Sequence, residues 1–226
     1  MKQTNINTCI IDDHPLIIEA YMTALQEVDQ LHREWNFAIE TAETCDEAQY
    51  LLTTTFASKP IDLVLLDIQV PPSMDNKLLS GEDIGLKIRE TMPNAKIVIT
   101  TTFNNNYRIQ SIFKQINPEG FLIKSDIAAS TLISALEEIL TAPPYYSKTV
   151  MQSVRKYISH DFLLDKWDRL LLYELSQGTK MKELPNVLPF SLAALEKRKR
   201  HLKVLFEVED GEDRDLFKKA RLHGFI

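Results

Sequence analysis

Short apolar runs that each end in a polar residue are the feature that most constrains the fold of this chain. The run Cys9-Ile10-Ile11 ends at Asp12-Asp13, Leu63-Val64-Leu65-Leu66 at Asp67, Ile97-Val98-Ile99-Thr100 at Thr101, and Phe121-Leu122-Ile123 at Lys124. Short apolar runs that alternate with helical patterns are typical of buried parallel strands. The carboxyl ends of parallel strands open onto one edge of a sheet, where ligands bind. We therefore expect the acidic pair, the single carboxylate, the hydroxyl and the ammonium group to meet in one site.

Helical patterns separate the predicted strands. Pro15 is well placed as a first helical residue, and Thr44-Cys45-Asp46-Glu47 forms a capping box before the next helix. Phe37–Thr41 supplies a further strand. Five strand–helix units in succession predict right-handed crossovers and an α/β fold with a doubly wound, five-stranded parallel sheet. We expect this domain to occupy residues 1–141.

The pattern changes after Pro143-Pro144, which stops the last of these helices. Residues 142–160 are expected to form a linker with a short helix of its own. Residues 161–226 show helical patterns only, with Gly178 just after one helix and a last helix over roughly 213–222. This part of the chain predicts a small all-α domain.

Composition narrows the class of protein. With 226 residues and 44% hydrophobic side chains, the chain can build one large or two small domains. No apolar run approaches the roughly 20 residues that span a bilayer, and the first residues lack the apolar stretch of a signal peptide. Cys9 and Cys45 have no metal-ligand spacing and fit reduced core thiols. We therefore expect a cytoplasmic protein with no membrane partner.

Charge is divided unevenly along the chain. Residues 1–160 carry 13 basic and 20 acidic side chains, a net charge of −7, whereas residues 161–226 carry 13 basic and 12 acidic ones, a net charge of +1. An acidic first part suits a site for a metal ion and a phosphoryl group. The second part contains one dense basic run, Lys197-Arg198-Lys199-Arg200.

The residues at the strand ends fit phosphoryl transfer. The Asp67 carboxylate is the natural nucleophile, because it can accept a phosphoryl group as an acyl phosphate. Such transfer gathers negative charge on the phosphoryl oxygens, so the protein mainly supplies position and positive charge. We expect Lys124 to pair with the phosphoryl group and the Thr101 hydroxyl to donate a hydrogen bond to it.

A magnesium site is expected beside this nucleophile. Mg²⁺ is held by one or two carboxylates, keeps several waters and bridges to phosphate oxygen. Asp13 and Asp67 are the predicted direct ligands, Asp12 acts through water, and the backbone carbonyl of Gln69 is within reach of the metal. A single Asp at a strand end more often caps a helix, so the prediction depends on all four strand ends together. His14 is expected to be a surface or capping residue, because consecutive residues point in different directions.

These motifs resemble the receiver domain of two-component response regulators of the NarL/FixJ type. The resemblance covers residues 6–140 and rests on Asp12-Asp13-His14-Pro15, Asp67, Thr101 and Gly120-Phe121-Leu122-Ile123-Lys124. It implies a flavodoxin-like fold and phosphorylation of Asp67 by a sensor histidine kinase. It further implies a switch, in which Thr101 moves toward the phosphate and Phe121 turns inward.

Two segments depart from the family pattern. The loop from Ile68 to Ser80 is several residues longer than usual, with Gly81 as the match to the family's glycine. Asn117-Pro118-Glu119-Gly120 replaces the common Ala-Gly-Ala-x-Gly. Neither departure removes one of the chemical groups of the site.

Residues 164–226 are similar to the four-helix LuxR-type helix-turn-helix domain that follows such receivers. Ser191 matches the N-cap of the recognition helix, and the resemblance implies that this helix enters the major groove of promoter DNA. The predicted DNA-binding residues are Lys197 and Arg200 at base edges and Lys182, Arg198 and Lys203 at the phosphate backbone, together with Ser191. Pro185 in the scaffold helix and Glu196 in the recognition helix depart from the pattern.

The sequence supports a leading hypothesis and an alternative. The leading one is a response regulator whose phosphorylation at Asp67 drives homodimer formation and promoter binding, and which catalyses only its own phosphorylation and dephosphorylation. The alternative is a phosphorylation-controlled protein-interaction module whose degenerate helix-turn-helix does not bind DNA. A phosphatase of the aspartyl-phosphate class needs an Asp two residues after the nucleophile, where this chain has Gln69.

Overall fold

A computed structural model describes residues 4–102, 106–156, 164–209, 211–223 and 225–226 of the chain. The elements of the first part are β1 (Thr4–Ile11), α1 (Pro15–Leu31), β2 (Trp35–Ala42), α2 (Cys45–Thr53), α3 (Thr55–Ser58), β3 (Leu63–Asp67), α4 (Gly81–Thr91), β4 (Lys96–Thr101), α5 (Asn106–Ile116), β5 (Gly120–Ile123), α6 (Ala129–Thr141), β6 (Tyr145–Tyr146) and α7 (Lys148–Lys156). Those of the second part are α8 (Lys166–Ser176), α9 (Leu192–Leu205) and α10 (Asp213–Leu222). Among these described residues, no helix is long and apolar enough to cross a bilayer.

The chain divides into two compact units. The first comprises Met1–Asn104 and Ile112–Lys156, and the second comprises Asn105–Ser111 and Tyr157–Ile226. The predicted boundary between residues 160 and 161, with Ile158 and Phe162 at its sides, lies outside the described residues.

The first unit is built on one parallel sheet with the strand order β2-β1-β3-β4-β5-β6. The predicted doubly wound α/β fold is confirmed, and the strand order reverses between β1 and β3. The predicted number of five strands was too small, because Tyr145 and Tyr146 add a sixth strand beside Gly120 and Phe121. A two-residue strand has no periodicity that the sequence could show, so the sequence pattern places this segment in the linker.

The sheet is covered by helices that bury its central strands. All five residues of β3 are buried. On one face, Ile10, Leu65, Val98 and Leu122 belong to a core cluster with residues of α1 and α6. Parallel strands buried on both faces are apolar throughout, which explains why their carboxyl-terminal polar residues stand out in the sequence.

The second unit has its own apolar core. Its buried residues are Leu164, Leu171, Leu172, Leu175, Leu184, Leu188, Leu195, Leu202, Phe206, Leu216, Ala220 and Phe225. Gly178 follows α8 with a φ of +92° and thus supplies the left-handed residue that the sequence predicted there. Gly224, which follows the last predicted helix in the sequence, lies outside the described residues.

In place of the scaffold helix expected around Pro185, the structure has a single 3₁₀ turn over Leu184–Asn186. Pro185 explains the difference, because it has no N–H to donate and disfavours helical backbone at the residue before it. Leu184 is nevertheless fully buried in the core of the unit. The turn therefore keeps the packing position of a scaffold helix without its length.

Candidate functional site

The carboxyl edge of the sheet brings together the polar residues that end the strands. Asp12 follows β1, Asp67 ends β3, Thr101 ends β4 and Lys124 follows β5. Asp12, Asp67 and Thr101 are each at most 1% exposed. Carboxylates so deeply buried are costly unless a cation or hydrogen-bond donors compensate them.

Lys124 supplies that compensation to two carboxylates at once. Its Nζ lies 2.7 Å from Oδ2 of Asp12 and 2.6 Å from Oδ2 of Asp67. Burial alone would lower the pKa of the Lys124 ammonium group, but the hydrogen bonds to Asp12 and Asp67 outweigh it and the pKa is raised. Lys124 therefore stays charged at neutral pH and holds the ends of β1, β3 and β5 together.

Both oxygens of the Asp67 carboxylate have partners. Oδ2 faces Lys124, while Oδ1 accepts a hydrogen bond of 2.9 Å from the backbone N–H of Gln69. Burial raises the pKa of Asp67 more than these two bonds lower it. The carboxylate is thus fixed in orientation and only weakly solvated, which suits a nucleophile.

Gly81 is required by the close approach of α4 to Asp67. A Cβ atom at this position would lie 1.9 Å from the backbone oxygen of Asp67. The backbone N–H of Gly81 donates to the carbonyl of Ile68 at 3.1 Å, which fixes the end of the long loop. The sequence comparison with the family pattern identified the glycine, but the clash that demands it is visible only in three dimensions.

An acidic cluster beside Asp67 could hold a metal ion. Ligand atoms of Asp12, Asp13, His14 and Asp67 all lie within 4.8 Å of one another. Nδ1 of His14 lies 2.6 Å from Oδ1 of Asp13, and the His14 side chain is 66% exposed. His14 is the N-cap residue of α1 but makes no side-chain capping bond. The three carboxylates are hard oxygen ligands and fit a hard divalent cation.

The side-chain oxygen of Gln69 accepts a hydrogen bond from the Thr102 hydroxyl. The coordination of a metal by the backbone carbonyl of Gln69 stays a prediction.

Phe121 is fully buried, with its ring centroid 5.2 Å from that of Phe113. The ring is therefore buried in this structure, and the inward turn on phosphorylation that the family resemblance implies stays a prediction.

Tyr21 is a neighbour of the site that the sequence did not single out. Burial raises the pKa of its hydroxyl, a side-chain hydrogen bond with Thr100 opposes that rise, and the charges of Asp12 and Asp67 add to it. In the sequence, Tyr21 is one member of the apolar stripe of α1. Nothing in its spacing distinguishes it from a core residue.

The second unit exposes only part of its basic run. Ser191 caps α9, and its hydroxyl accepts from the N–H of Ala194 at 3.3 Å. Lys182, Lys197 and Arg200 are exposed. These three cations are the predicted DNA contacts that remain open to a partner.

Arg198 and Lys203 have structural roles that the sequence did not predict. Nη1 of Arg198 lies 2.9 Å from Asp165 and 2.6 Å from Asp168, both at the start of α8. Lys203 donates to the carbonyl of Gly211 at 2.7 Å and lies 3.1 Å from Asp213. Both cations join helices of the unit, so their expected contacts with a phosphate backbone compete with bonds already made.

Comparisons with known proteins agree with this architecture. No family model matches the chain. The transcriptional regulatory protein MctR of Rhizobium johnstonii is 26% identical over 205 residues, which cover 89% of this chain and 87% of MctR.

Solved structures of the response regulator RcsB are similar along almost the whole chain. RcsB of Salmonella typhimurium superposes with a TM-score of 0.65 at 20% identity and covers 99% of both chains. RcsB of Salmonella enterica serovar Typhimurium, bound to promoter rprA in the presence of the phosphomimetic BeF₃⁻, gives a TM-score of 0.66 at 19% identity and covers 96% of this chain and 98% of RcsB. This chain therefore shares the fold of RcsB, a doubly wound α/β unit followed by a helical unit.

Proposed function

We propose that this protein is a response regulator that accepts a phosphoryl group on Asp67 from a sensor histidine kinase. Phosphorylation then controls homodimer formation and binding to promoter DNA, and thereby transcription. The observation that carries the proposal is the Asp67 carboxylate, held by Lys124 and flanked by Asp12 and Asp13 at the edge where the sheet reverses its strand order. The protein would catalyse only its own phosphorylation and dephosphorylation. Its free, buried Cys9 and Cys45 fit action in the reducing cytoplasm.

The geometry suits transfer to the Asp67 oxygen that now faces Lys124. In the transfer, a new bond forms between this oxygen and phosphorus while the bond from phosphorus to the donor nitrogen breaks, and the electron pair of that bond stays on the nitrogen. Lys124 lies 2.6 Å from the accepting oxygen, so its ammonium group is placed to pair with the phosphoryl oxygens as charge gathers on them. The bond from the Gln69 N–H to the other oxygen keeps the carboxylate oriented.

The acidic cluster fits Mg²⁺ because its ligands are carboxylate oxygens at one open edge. Asp13 and Asp67 would hold the ion, with Asp12 through water and the backbone carbonyl of Gln69 as a further ligand. When bound, Mg²⁺ supplies positive charge that offsets the phosphoryl oxygens. Lys124 is a single cation beside three carboxylates. If no further cation is bound, the carboxylates of Asp12, Asp13 and Asp67 would repel an incoming phosphoryl group.

The structural response to the phosphoryl group would begin at Thr101 and Lys124, which lie at the same edge of the sheet as Asp67. An acyl phosphate carries a charge of about −2, so its formation from the Asp67 carboxylate adds about one negative charge beside these two side chains. Thr101 ends β4, and the neighbouring strand β5 carries Phe121 opposite Ile99. A movement of Thr101 toward the phosphate would therefore be felt at the buried ring of Phe121, and through it at the surface around β4, α5 and β5.

DNA binding would belong to α9. Its exposed Lys197 and Arg200 are three residues apart and so lie on one side of the helix, while Leu195 and Leu202 are fully buried on the other. The relative MctR is named a transcriptional regulatory protein, and RcsB has been solved with promoter DNA. These functions of similar proteins support the same role for the present chain.

A protein-interaction module is the second candidate. Two observations favour it: the scaffold helix is reduced to one 3₁₀ turn, and Glu196 is exposed on the helix that would face DNA. An acidic side chain at this surface repels phosphate. In this case phosphorylation of Asp67 would still occur, but the second unit would have no affinity for DNA.

A gel shift against the region upstream of the protein's own gene, with and without a small-molecule phosphodonor and Mg²⁺, tests the proposal. We expect the phosphodonor to tighten binding at least several-fold in the native chain and to have no effect on Asp67→Asn. Asp62→Asn is the matched control, because Asp62 is exposed just before the opposite end of the same strand. Phosphorylated protein that binds no DNA at low salt would favour the interaction module.

A further inference from the structure

The outward face of α9 carries one acidic residue that the proposed function does not use. Ala193, Glu196, Lys197 and Arg200 are exposed and follow one another at intervals of three, one and three residues. With about 3.6 residues per turn, they lie within an arc of roughly 100° on one side of the helix. We call these four residues the α9 outer face.

The α9 outer face points away from the core of its unit. Leu195 and Leu202 of the same helix are fully buried in that core. Around the helix axis, the mean direction of these two leucines lies about 110° from Glu196 and about 150° from Lys197 and Arg200. The carboxylate of Glu196 therefore shares an open surface with the two cations that are predicted to contact base edges.

The charged side chains of α9 differ in whether the unit itself uses them. Arg198, Lys199 and Lys203 form ion pairs with aspartates at the starts of α8 and α10. Among the described residues, the side chains of Glu196 and Arg200 take part in no ion pair or hydrogen bond. The packing of the unit thus uses the inward cations of α9 and leaves the charges of its outer face open.

The spacing of Glu196 and Arg200 makes their open side chains informative. An acidic residue four positions before a basic one is the arrangement that favours an ion pair along a helix. These two side chains nevertheless do not pair, so a carboxylate acceptor and a guanidinium donor are both open one turn apart. The phosphate backbone of DNA would attract only the guanidinium group, whereas base edges present donors as well as acceptors.

We propose that Glu196 is a specificity-determining residue whose carboxylate accepts a hydrogen bond from the amino group of a cytosine in the major groove. This inference rests on the proposed DNA binding by α9. Cytosine presents the N4 amino donor in this groove, whereas guanine O6 and thymine O4 are acceptors that would repel a carboxylate. Glu196 comes five residues after the cap Ser191, and the N-terminal residues of a recognition helix are those that contact base edges.

The distance between Glu196 and Arg200 limits the sequence that α9 would read. The helix rises about 6 Å from one residue to the other, which is close to two base steps of about 3.4 Å each. The two side chains therefore reach different base pairs. Because arginine pairs by preference with O6 and N7 of guanine, each half-site should contain two G·C pairs within about three positions of one another.

Selection of binding sites from random DNA duplexes tests the role of Glu196. For the phosphorylated full-length chain, we expect C at one position of each half-site, with at least about a fivefold preference over any other base. Glu196→Gln should change this preference from C to A, because a glutamine side chain pairs with N6 and N7 of adenine. Glu196→Ala should lose the preference at this position and keep those at the others.

The control variant is Glu209→Gln, which removes the same charge from an exposed position after the end of α9. It should select the same sequences as the native chain. Unchanged base preference in both Glu196 variants overturns the inference even if they bind all duplexes more tightly, because the carboxylate then only repels phosphate. A native chain that selects no C, or an equal change in the control, overturns it as well, and in each of these cases the proposed function stands. Failure of the native phosphorylated chain to bind any duplex at low salt overturns both.

Discussion

At the residue scale, the candidate site depends on one cation between two buried carboxylates. The sequence predicted Asp12, Asp67 and Lys124 because each comes at the end of a buried strand. In a parallel sheet these strand ends lie together at one edge. It could not predict the need for Gly81 or the position of Tyr21, since both follow from how α4 and α1 approach the sheet. The local sequence pattern predicts where the strands end, but it does not predict how closely the helices approach the sheet.

Replacement of Lys124 by Ala tests whether its ammonium group stabilises the buried carboxylates of Asp12 and Asp67. The side chains of Lys124, Asp12 and Asp67 are only 13%, 0% and 2% exposed, so the variant leaves two buried carboxylates without a counter-charge. Loss of one partner of a buried pair typically costs about 3–5 kcal/mol. We expect a loss of that size in the free energy of unfolding of the first unit, measured with urea at neutral pH without Mg²⁺.

Acid should reduce the loss of unfolding free energy in the Lys124→Ala variant. Burial already raises the pKa of Asp67, and Lys124 opposes that rise, so without Lys124 the folded-state pKa lies further above the unfolded value. The variant therefore gains stability as the pH falls through this folded-state pKa and a proton binds Asp67 in the native state. Lys59→Ala, at an exposed position, serves as the control and should show neither effect. A Lys124→Ala variant as stable as the native chain at neutral pH would contradict the assigned role.

At the element scale, the regular strands and helices were predictable and the short or interrupted ones were not. Four of the parallel strands follow from runs of three or four residues, whereas β6 has two residues and depends on backbone pairing with β5. The departure at Asn117–Gly120 also has a structural reason. Glu119 accepts from the Ile97 N–H at 2.8 Å and pairs with Arg89 at 2.9 Å, so it joins α4, β4 and the loop before β5.

Helix α7 is anchored by a residue that the sequence did not single out. Asp126, two residues after Lys124, accepts from the Thr149 N–H at 2.9 Å, from the Thr149 hydroxyl at 2.9 Å and from the Ser147 hydroxyl at 2.8 Å. Burial is the largest single influence on the pKa of Asp126 and raises it, but these hydrogen bonds together outweigh burial and lower the pKa. The start of α7 is thereby tied to the loop that follows the candidate site.

Asp126→Asn should loosen α7. A lost helix cap typically costs about 0.5–2 kcal/mol, and we expect faster amide hydrogen exchange in residues 148–156 of the variant at neutral pH. Because the folded pKa of Asp126 is lowered, its contribution is present above the unfolded pKa and is lost as the pH falls through the folded one. The exchange difference between the native chain and the variant should therefore shrink in acid. Asp62→Asn should leave exchange in α7 unchanged, and equal protection of α7 in both variants would refute the anchor.

At the scale of the whole molecule, the carboxylate site and the exposed cations lie in different units. The acidic first unit holds the carboxylates, and the second holds the open cations of α9. The sequence predicted this separation from the division of charge and from the change in pattern after Pro143-Pro144. It did not predict which cations are open, because the bonds of Arg198 and Lys203 to Asp168 and Asp213 depend on how α8, α9 and α10 pack.

The most direct measurement counts phosphoryl groups on the full-length protein and locates them. Incubation with Mg²⁺ and a small-molecule phosphodonor, followed by intact-mass and peptide analysis, should show one acid-labile phosphoryl group in the peptide that contains Asp67. The variant Asp67→Asn should remain unlabelled, and Asp62→Asn should be labelled like the native chain. Stoichiometric labelling of Asp67→Asn, or a phosphoryl group found in a peptide without Asp67, would contradict the assignment of Asp67 as the phosphoacceptor.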